Sequence, residues 1–535
     1  MSMTEAAFHY AGLPSAPILV ARSSTTPWKA PTGPEAYLRR KELRPVGNHA
    51  LVELWEDNLA LKIHALLENV MWTSTDIVCI GYTDELELSS APPPPVILWI
   101  GVMPESLSSD DGFVVASKCK KLLEEHGIND VDVEIRESVV TRSESESAGP
   151  KFFSSTYSSD FADGIYTPLT TTLGFPISAQ STPRSQGTSG FFITEGSDTE
   201  RLLLVTARHV IFTPDRDGNE HFEHSDNSDS EHRHNVTVFG NTGFERYLES
   251  IQTEIEGQTF MIKHQEGRIW MFGGKNDPLA NKKRQKAQFA LDEAKEAVEE
   301  LKTFYQDVLT QWVTPESRVL GHVILSPPIN VNVGSEGYTE DWAVIEVDAS
   351  KVNSSNFSGN AIDLGNLISP DKFTNMMCPN PQNRHSFTYL YDHILRLKGT
   401  IPEDEMRHPT AFDQNGEPCL MVIKRGNATG VTVGHATNIC SYVRYYNDGT
   451  RSSNEPSKEW TILPFDSKTG PFSGKGDSGS VIVDGRGRIG GLLIGGTGKH
   501  TQSLDLTYAT PVDFLLRRME SRGLCKPNVN PVLAG

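Results

Sequence analysis

Cysteine is scarce in this chain: six residues in 535, no two of them in a CxxC spacing. Cys79, Cys119, Cys378, Cys419, Cys440 and Cys525 offer neither a disulfide framework nor a thiolate metal site, and read as free thiols of a reducing compartment. Long apolar runs are missing too. None reaches the roughly 20 residues that a membrane-spanning helix needs. Basic charge is outnumbered, with 49 Lys and Arg against 69 Asp and Glu for a net charge of -20. That disfavours nucleic acid and anionic membrane as partners. The opening Met-Ser-Met-Thr-Glu-Ala-Ala-Phe-His-Tyr lacks a basic stretch leading into an apolar one, so no secretory leader is expected and the cytoplasm is the expected compartment. What remains is ordinary soluble composition, 37% hydrophobic and 22% charged. The length exceeds what one core serves, so two or more domains are expected.

Residues 1–33 are rich in Pro, Ser and Thr with little periodicity, the pattern of a flexible N-terminal arm. Residues 34–145 read as a small α/β accessory domain. Leu51, Leu54, Leu59, Leu61, Ile63, Leu66, Leu67 and Val70 recur at helical spacing. Ile77 to Tyr82, Val96 to Val102 and Val131 to Arg136 read as strands, and Asp111 to His126 as an amphipathic helix. No reactive constellation appears there. Pro92 to Pro95 reads as a stiff connector and Ser143 to Ser159 as a linker.

Over residues 160–520 the pattern becomes mainly β. Short apolar runs alternate with turn residues: Leu173 to Ser178, Gly190 to Thr194, Leu202 to Thr206, Ser317 to Leu325, Asp341 to Val347, Cys419 to Thr437 and Ile439 to Tyr446. Residues 242–312 interrupt it. Leu248, Ile251, Ile255, Gln258, Ile262, Gln265, Ile269 and Phe272, then Leu291, Ala294, Val298, Leu301, Tyr305, Val308 and Trp312, lie three and four apart. Gln258 and Gln265 are polar gaps in the first seam, and Gly257 and Gly267 weaken it. The reading is a helical hairpin, an antiparallel coiled coil, either packed flat on the barrel or standing out as an arm for a protein partner or a second copy. Residues 348–416 are polar and loop-rich apart from Phe387 to Leu397. Val512 to Glu520 reads as a terminal helix and 521–535 as a C-terminal tail.

Three short blocks carry chemistry. In Phe472-Ser-Gly-Lys-Gly-Asp-Ser-Gly-Ser-Val-Ile-Val483 the glycines free the backbone to turn sharply, which presents Ser478 Oγ and aims the amides of Gly476 and Ser478 at one point. Asp-Ser-Gly by itself is ordinary turn composition. A serine nucleophile needs a base, and His209 ends the apolar run Leu202-Leu-Leu-Val-Thr-Ala-Arg-His209. The base needs an orienter, and Asp341 stands directly before the apolar run Trp342-Ala-Val-Ile345.

In that order the blocks resemble the chymotrypsin-like (trypsin-like) serine peptidases. The resemblance rests on Thr206-Ala-Arg-His209, Asp341-Trp-Ala-Val-Ile345, and Gly476-Asp-Ser-Gly-Ser480 followed by Gly490-Gly-Leu-Leu-Ile494. Lys424 to Gly434 is similar to the strand that opens the second barrel of bacterial and fungal members. The resemblance implies two antiparallel β-barrels with the site in the cleft between them, a polypeptide substrate and no cofactor or metal. It gives His209 as general base, Asp341 as its orienter and Ser478 as nucleophile, with the Gly476 and Ser478 amides as oxyanion hole. Ile494, Gly495 and Gly496 would be the edge strand that pairs with a substrate backbone. Phe472 or Ser473 would floor an uncharged specificity pocket.

Some residues depart from the family's pattern. Val210 follows His209 where Cys is usual, Ser480 follows Gly479 where Gly is usual, and no Ile-Val-Gly-Gly start precedes the domain. Asp477 therefore needs a partner other than a newly cut amino terminus. His221, His224, His232 and His234 have metal-like spacings, but they lie in a polar stretch without strand pattern and read as a solvated loop. Two other functions fit the same residues: a catalytically silent scaffold on this fold, acting through the hairpin and N-terminal domain, and an esterase using the same three side chains.

Overall fold

The computed structural model describes residues 2–28, 40–82, 94–141, 152, 163–196, 201–224, 233–273, 277–383, 386–445, 455–498 and 504–533. Most of the Ser143 to Ser159 linker and half of the Pro92 to Pro95 connector lie outside them. The architecture is mainly antiparallel β, with a closed six-stranded barrel, an open half-barrel and helices.

The N-terminal module is one sheet covered on both faces. Its elements are α1 (Met3–Phe8), β1 (Leu19–Arg22), β2 (Lys41–Arg44), a helical stretch 51–66 with a π-helical turn at Trp55–Leu59, β3 (Trp72–Tyr82), β4 (Val96–Val102), α2 (Ser109–Glu125), β5 (Val131–Glu137) and β6 (Val139–Thr141). β4 and β5 are parallel, so α2 is the crossover that parallel pairing requires. The apolar run of β4 follows from double coverage. Leu98, Ile100 and Val102 face a core with the helices, through Trp55, Ile63 and Leu123. Ile97 and Trp99 face the opposite way, into a core shared with Ile494, Leu506 and Tyr508 of the closed barrel.

The module is therefore not the separate domain that residues 34–145 suggest. β3 pairs directly with Ser441–Val443, which carries its sheet into the closed barrel. A buried ionic cluster seals the seam. The Arg136 guanidinium lies 3.3 Å from Asp76, 3.1 Å from Asp505 and 3.3 Å above the Trp99 ring. Tyr508 donates to Asp76 at 2.9 Å and Ser15 to Asp505 at 2.5 Å. Burial pushes both aspartates up, and Arg136 opposes it.

The half-barrel contains β7 (Pro176–Ala179), β8 (Phe191–Glu195), β9 (Leu203–Thr206), β10 (Asn235–Val238), β11 (Val319–Ser326) and β12 (Ala343–Val347), in the spatial order β8-β9-β12-β11-β10-β7. Between β10 and β11 stand α3 (Asn241–Phe272) and α4 (Pro278–Gln311), with Asp277 capping α4 ahead of Pro278. At about 1.5 Å per residue these helices approach 50 Å. Only the base enters the half-barrel core, through Phe244, Tyr247, Ile251, Leu301, Phe304, Val308 and Trp312. Farther out, Phe260, Trp270 and Phe289 are exposed. The hairpin is an arm. Gly257 and Gly267 do not break α3, because each lies where a side chain would meet open space and the seam alone holds the helix.

The closed barrel is β13 (Leu420–Gly426), β14 (Gly430–Ala436), β15 (Ser457–Pro464), β16 (Val481–Asp484), β17 (Ile489–Gly498) and β18 (Leu506–Pro511). Its antiparallel ring runs β13-β14-β15-β18-β17-β16 and back to β13. α5 (Val512–Ser521) follows as its pattern predicts.

Both chain ends depart from expectation. Within residues 1–33, the part described is packed rather than a flexible arm: β1 pairs with β5, and Tyr10, Leu13 and Leu19 enter the shared core. The apolar anchors there are few but fully buried, so composition under-reports them. Residues 521–535 are not a free tail. Leu524 and Val529 enter the half-barrel core and Pro527–Asn528 pairs with β8. Among the described residues no helix is long and apolar enough to cross a membrane.

Candidate active site

His209 sits in a single helical turn, Arg208–Ile211, directly after β9. Asp341 lies just before β12. The antiparallel register pairs Thr206 with Ala343, so the end of one strand faces the start of the other. Asp341 Oδ2 lies 2.7 Å from His209 Nδ1, and Oδ1 accepts the His209 amide at 3.1 Å. Two contacts from one carboxylate fix both ring and backbone. Asp341 accepts from Nδ1–H, which leaves Nε2 as the basic nitrogen. Nε2 is buried and, among the described residues, has no hydrogen-bond partner, Ser478 included. Arg208 braces the corner, donating to Ser326 Oγ at 2.9 Å and the Glu220 carbonyl at 2.6 Å. Burial pushes its guanidinium down to about 10, against the charge of Asp341.

Ser478 stands in the turn entering β16. Gly476 and Gly479 take φ of 107° and 90°, values that favour glycine. Gly479 also permits close approach. A Cβ there would fall 2.3 Å from Thr206 Oγ1 and 3.4 Å from the Ala207 amide, two residues before His209. The turn is thus pressed against the half-barrel. Thr188 stitches the two, donating its hydroxyl to the Gly476 carbonyl at 2.7 Å and its amide to the Ser478 carbonyl at 2.8 Å. Ser478 Oγ lies 3.5 Å from the Ile494 carbonyl. His209, Asp341 and Ser478 are all fully buried.

Asp477 has the internal partner its position calls for. Lys424 Nζ lies 3.3 Å from Oδ2, with both side chains at 0% exposure. The Ala428 and Gly474 amides donate at 2.8 and 2.9 Å, and Thr429 Oγ1 at 2.7 Å. Burial pulls the Lys424 ammonium down, and Asp477 opposes that. This network holds the turn on the amino-terminal side of Ser478.

Ile494, Gly495 and Gly496 lie in β17 beside the turn: Gly479 donates to the Leu493 carbonyl at 2.8 Å. Phe472 is buried, in a core cluster of the closed barrel with Leu420, Val422, Ile462 and Leu493. Ser473 is buried as well, bonded to Thr507 at 2.6 Å. The histidine-rich stretch does not converge. His224 stacks edge-on with His322, His234 packs on Phe212, and His232 lies outside the described residues. Among the described residues no three His, Cys, Asp or Glu side chains could hold a metal.

Lys424, Thr188 and Arg208 escape a reading of motifs. Lys424 had a usable signal, since it shares strand parity with the core residues Leu420 and Val422. Thr188 had none, because its partners lie across two folding units.

No protein-family model matches the chain, and no curated protein does.

Proposed function

We propose that the chain is a serine peptidase of chymotrypsin-like architecture. The observation that carries this reading is the His209 ring, held at Nδ1 by buried Asp341 and open at Nε2, with the glycine-framed Ser478 turn packed against its mount. In this reading Nε2 takes the Ser478 proton as Oγ attacks a peptide carbonyl. The Gly476 and Ser478 amides receive the oxyanion, and His209 returns the proton to the leaving amine. Water then repeats the sequence on the acyl-enzyme. Asp341 stabilises the imidazolium that forms at each stage.

A fluorophosphonate probe tests this directly. Labelling is expected at Ser478, lost in Ser478→Ala, and reduced by roughly a thousandfold or more in His209→Ala. Full labelling of Ser478→Ala sinks the reading. The same assay with small esters and peptides separates peptidase from esterase. The complete burial of Ser478 favours one other reading, a silent scaffold that acts through the arm. That reading takes first place if a folded sample labels nowhere.

A further inference from the structure

β17 has two edges along Gly496–Gly498, and the chain fills both. On one side it pairs with β18, through Gly496 with Thr507 and Thr497 with Leu506. On the other it pairs with β6: Gly496 with Thr141, Thr497 with Val140, and Gly498 with Val139. β6 belongs to the N-terminal module, yet it lies on the strand whose Ile494 carbonyl is 3.5 Å from Ser478 Oγ. The pairing is antiparallel, so β6 runs from Gly498 towards Gly496, in the direction of Ser478.

Resting on the peptidase reading, we propose that β6 is an internal occupant of the place where a substrate strand pairs. A peptide adding along Ile494–Gly496 by backbone hydrogen bonds meets β6 at Gly496, where Thr141 already pairs. It must displace Val139–Thr141 first. The tether is suited to reversible release. Three residues make a short ladder, whereas the preceding residue is firmly held: Ser138 donates its amide to Val102 at 2.8 Å, its carbonyl accepts from Thr73 at 3.1 Å, and its hydroxyl bonds Thr497. Val140 adds an apolar anchor in the core shared with Ile494 and Leu506. The site is thus regulated in cis, and the N-terminal module is the regulator.

Two variants test it in the full-length chain. Thr141→Pro removes the ladder donor opposite Gly496 and weakens the β6 pairing. Val140→Cys with Thr497→Cys joins directly opposed residues, so oxidation holds β6 in place and reduction frees it in the same folded protein. Each is assayed with a fluorogenic peptide and with the fluorophosphonate probe. The expected result is peptide cleavage at least tenfold faster in Thr141→Pro than in the parent, and at least tenfold slower in the oxidised pair than in the reduced pair. Fluorophosphonate labelling that appears only when β6 is free supports the same conclusion. Equal cleavage in all forms, with labelling in all, overturns the cis occupant and leaves the peptidase reading standing. Labelling in none overturns that reading, and this inference with it.

Discussion

The N-terminal module and the helical arm are both additions to the barrels, and they are attached in opposite ways. The module shares a sheet, an apolar core and a buried ionic cluster with the closed barrel. The arm enters the half-barrel only at its root and carries exposed aromatic residues farther out. An addition that shares its core with the body constrains the body. One that shares only its root leaves the body free and its own surface available.

Replacing Arg136 should give the largest effect. Arg136→Ala leaves Asp76 and Asp505 buried without their cation, and breaking such an arrangement costs about 3–5 kcal/mol. Denaturant unfolding should show one transition that moves for module and barrel together. Two separated transitions would break the comparison, since they would mean that the seam is not shared. Next is the arm's root. Leu301→Ala removes a fully buried side chain and should destabilise by about 2–5 kcal/mol. Its counterpart Trp270→Ser, on an exposed residue, should stay within about 0.5 kcal/mol. Similar values for the two would show that the outer arm is also packed.

The smallest effect concerns acid. Burial pushes Glu134 up, but its hydrogen bonds to His9 and Tyr10 and the nearby Lys41 outweigh it and hold the carboxyl at about 2. A depressed carboxylate contributes stability above the ordinary range near pH ~4, and that contribution is lost as the pH falls towards 2. Protection against hydrogen exchange over residues 2–22, relative to the intrinsic rate at each pH, should therefore fall between about pH 4 and 2 and stay constant near neutrality. The arm, which lacks such a buried carboxylate cluster among its described residues, should show no matching step.

The same contrast explains what was legible in the sequence. The arm could be read because a seam three and four residues apart is a local pattern, and Asp277-Pro278 marks its turn. Most strands of both barrels could be read for the same reason, though not Asn235–Val238 or Ser457–Pro464, as could the three reactive blocks. The seam could not. Arg136, Asp76 and Asp505 lie far apart in the chain, and each looks like a surface charge until the sheet brings them together. The first 28 residues misled through composition, since Tyr10, Leu13 and Leu19 are too few to outweigh the Pro and Ser around them. The pairing of β6 with β17 joins residues from two units and left no trace at all.

Lys424 has a consequence for the timing of assembly. In a chain whose turn is propped by a freshly cut terminus, the turn can form only after another enzyme has acted. Here the ammonium that meets Asp477 is a side chain in the interior of β13, present from synthesis and delivered when the barrel closes. Whatever Ser478 does, the shape of its turn is a product of folding and needs no maturation event. A newly made chain reaches that shape as soon as it is folded, so any delay before it acts must be built from something that covers the turn.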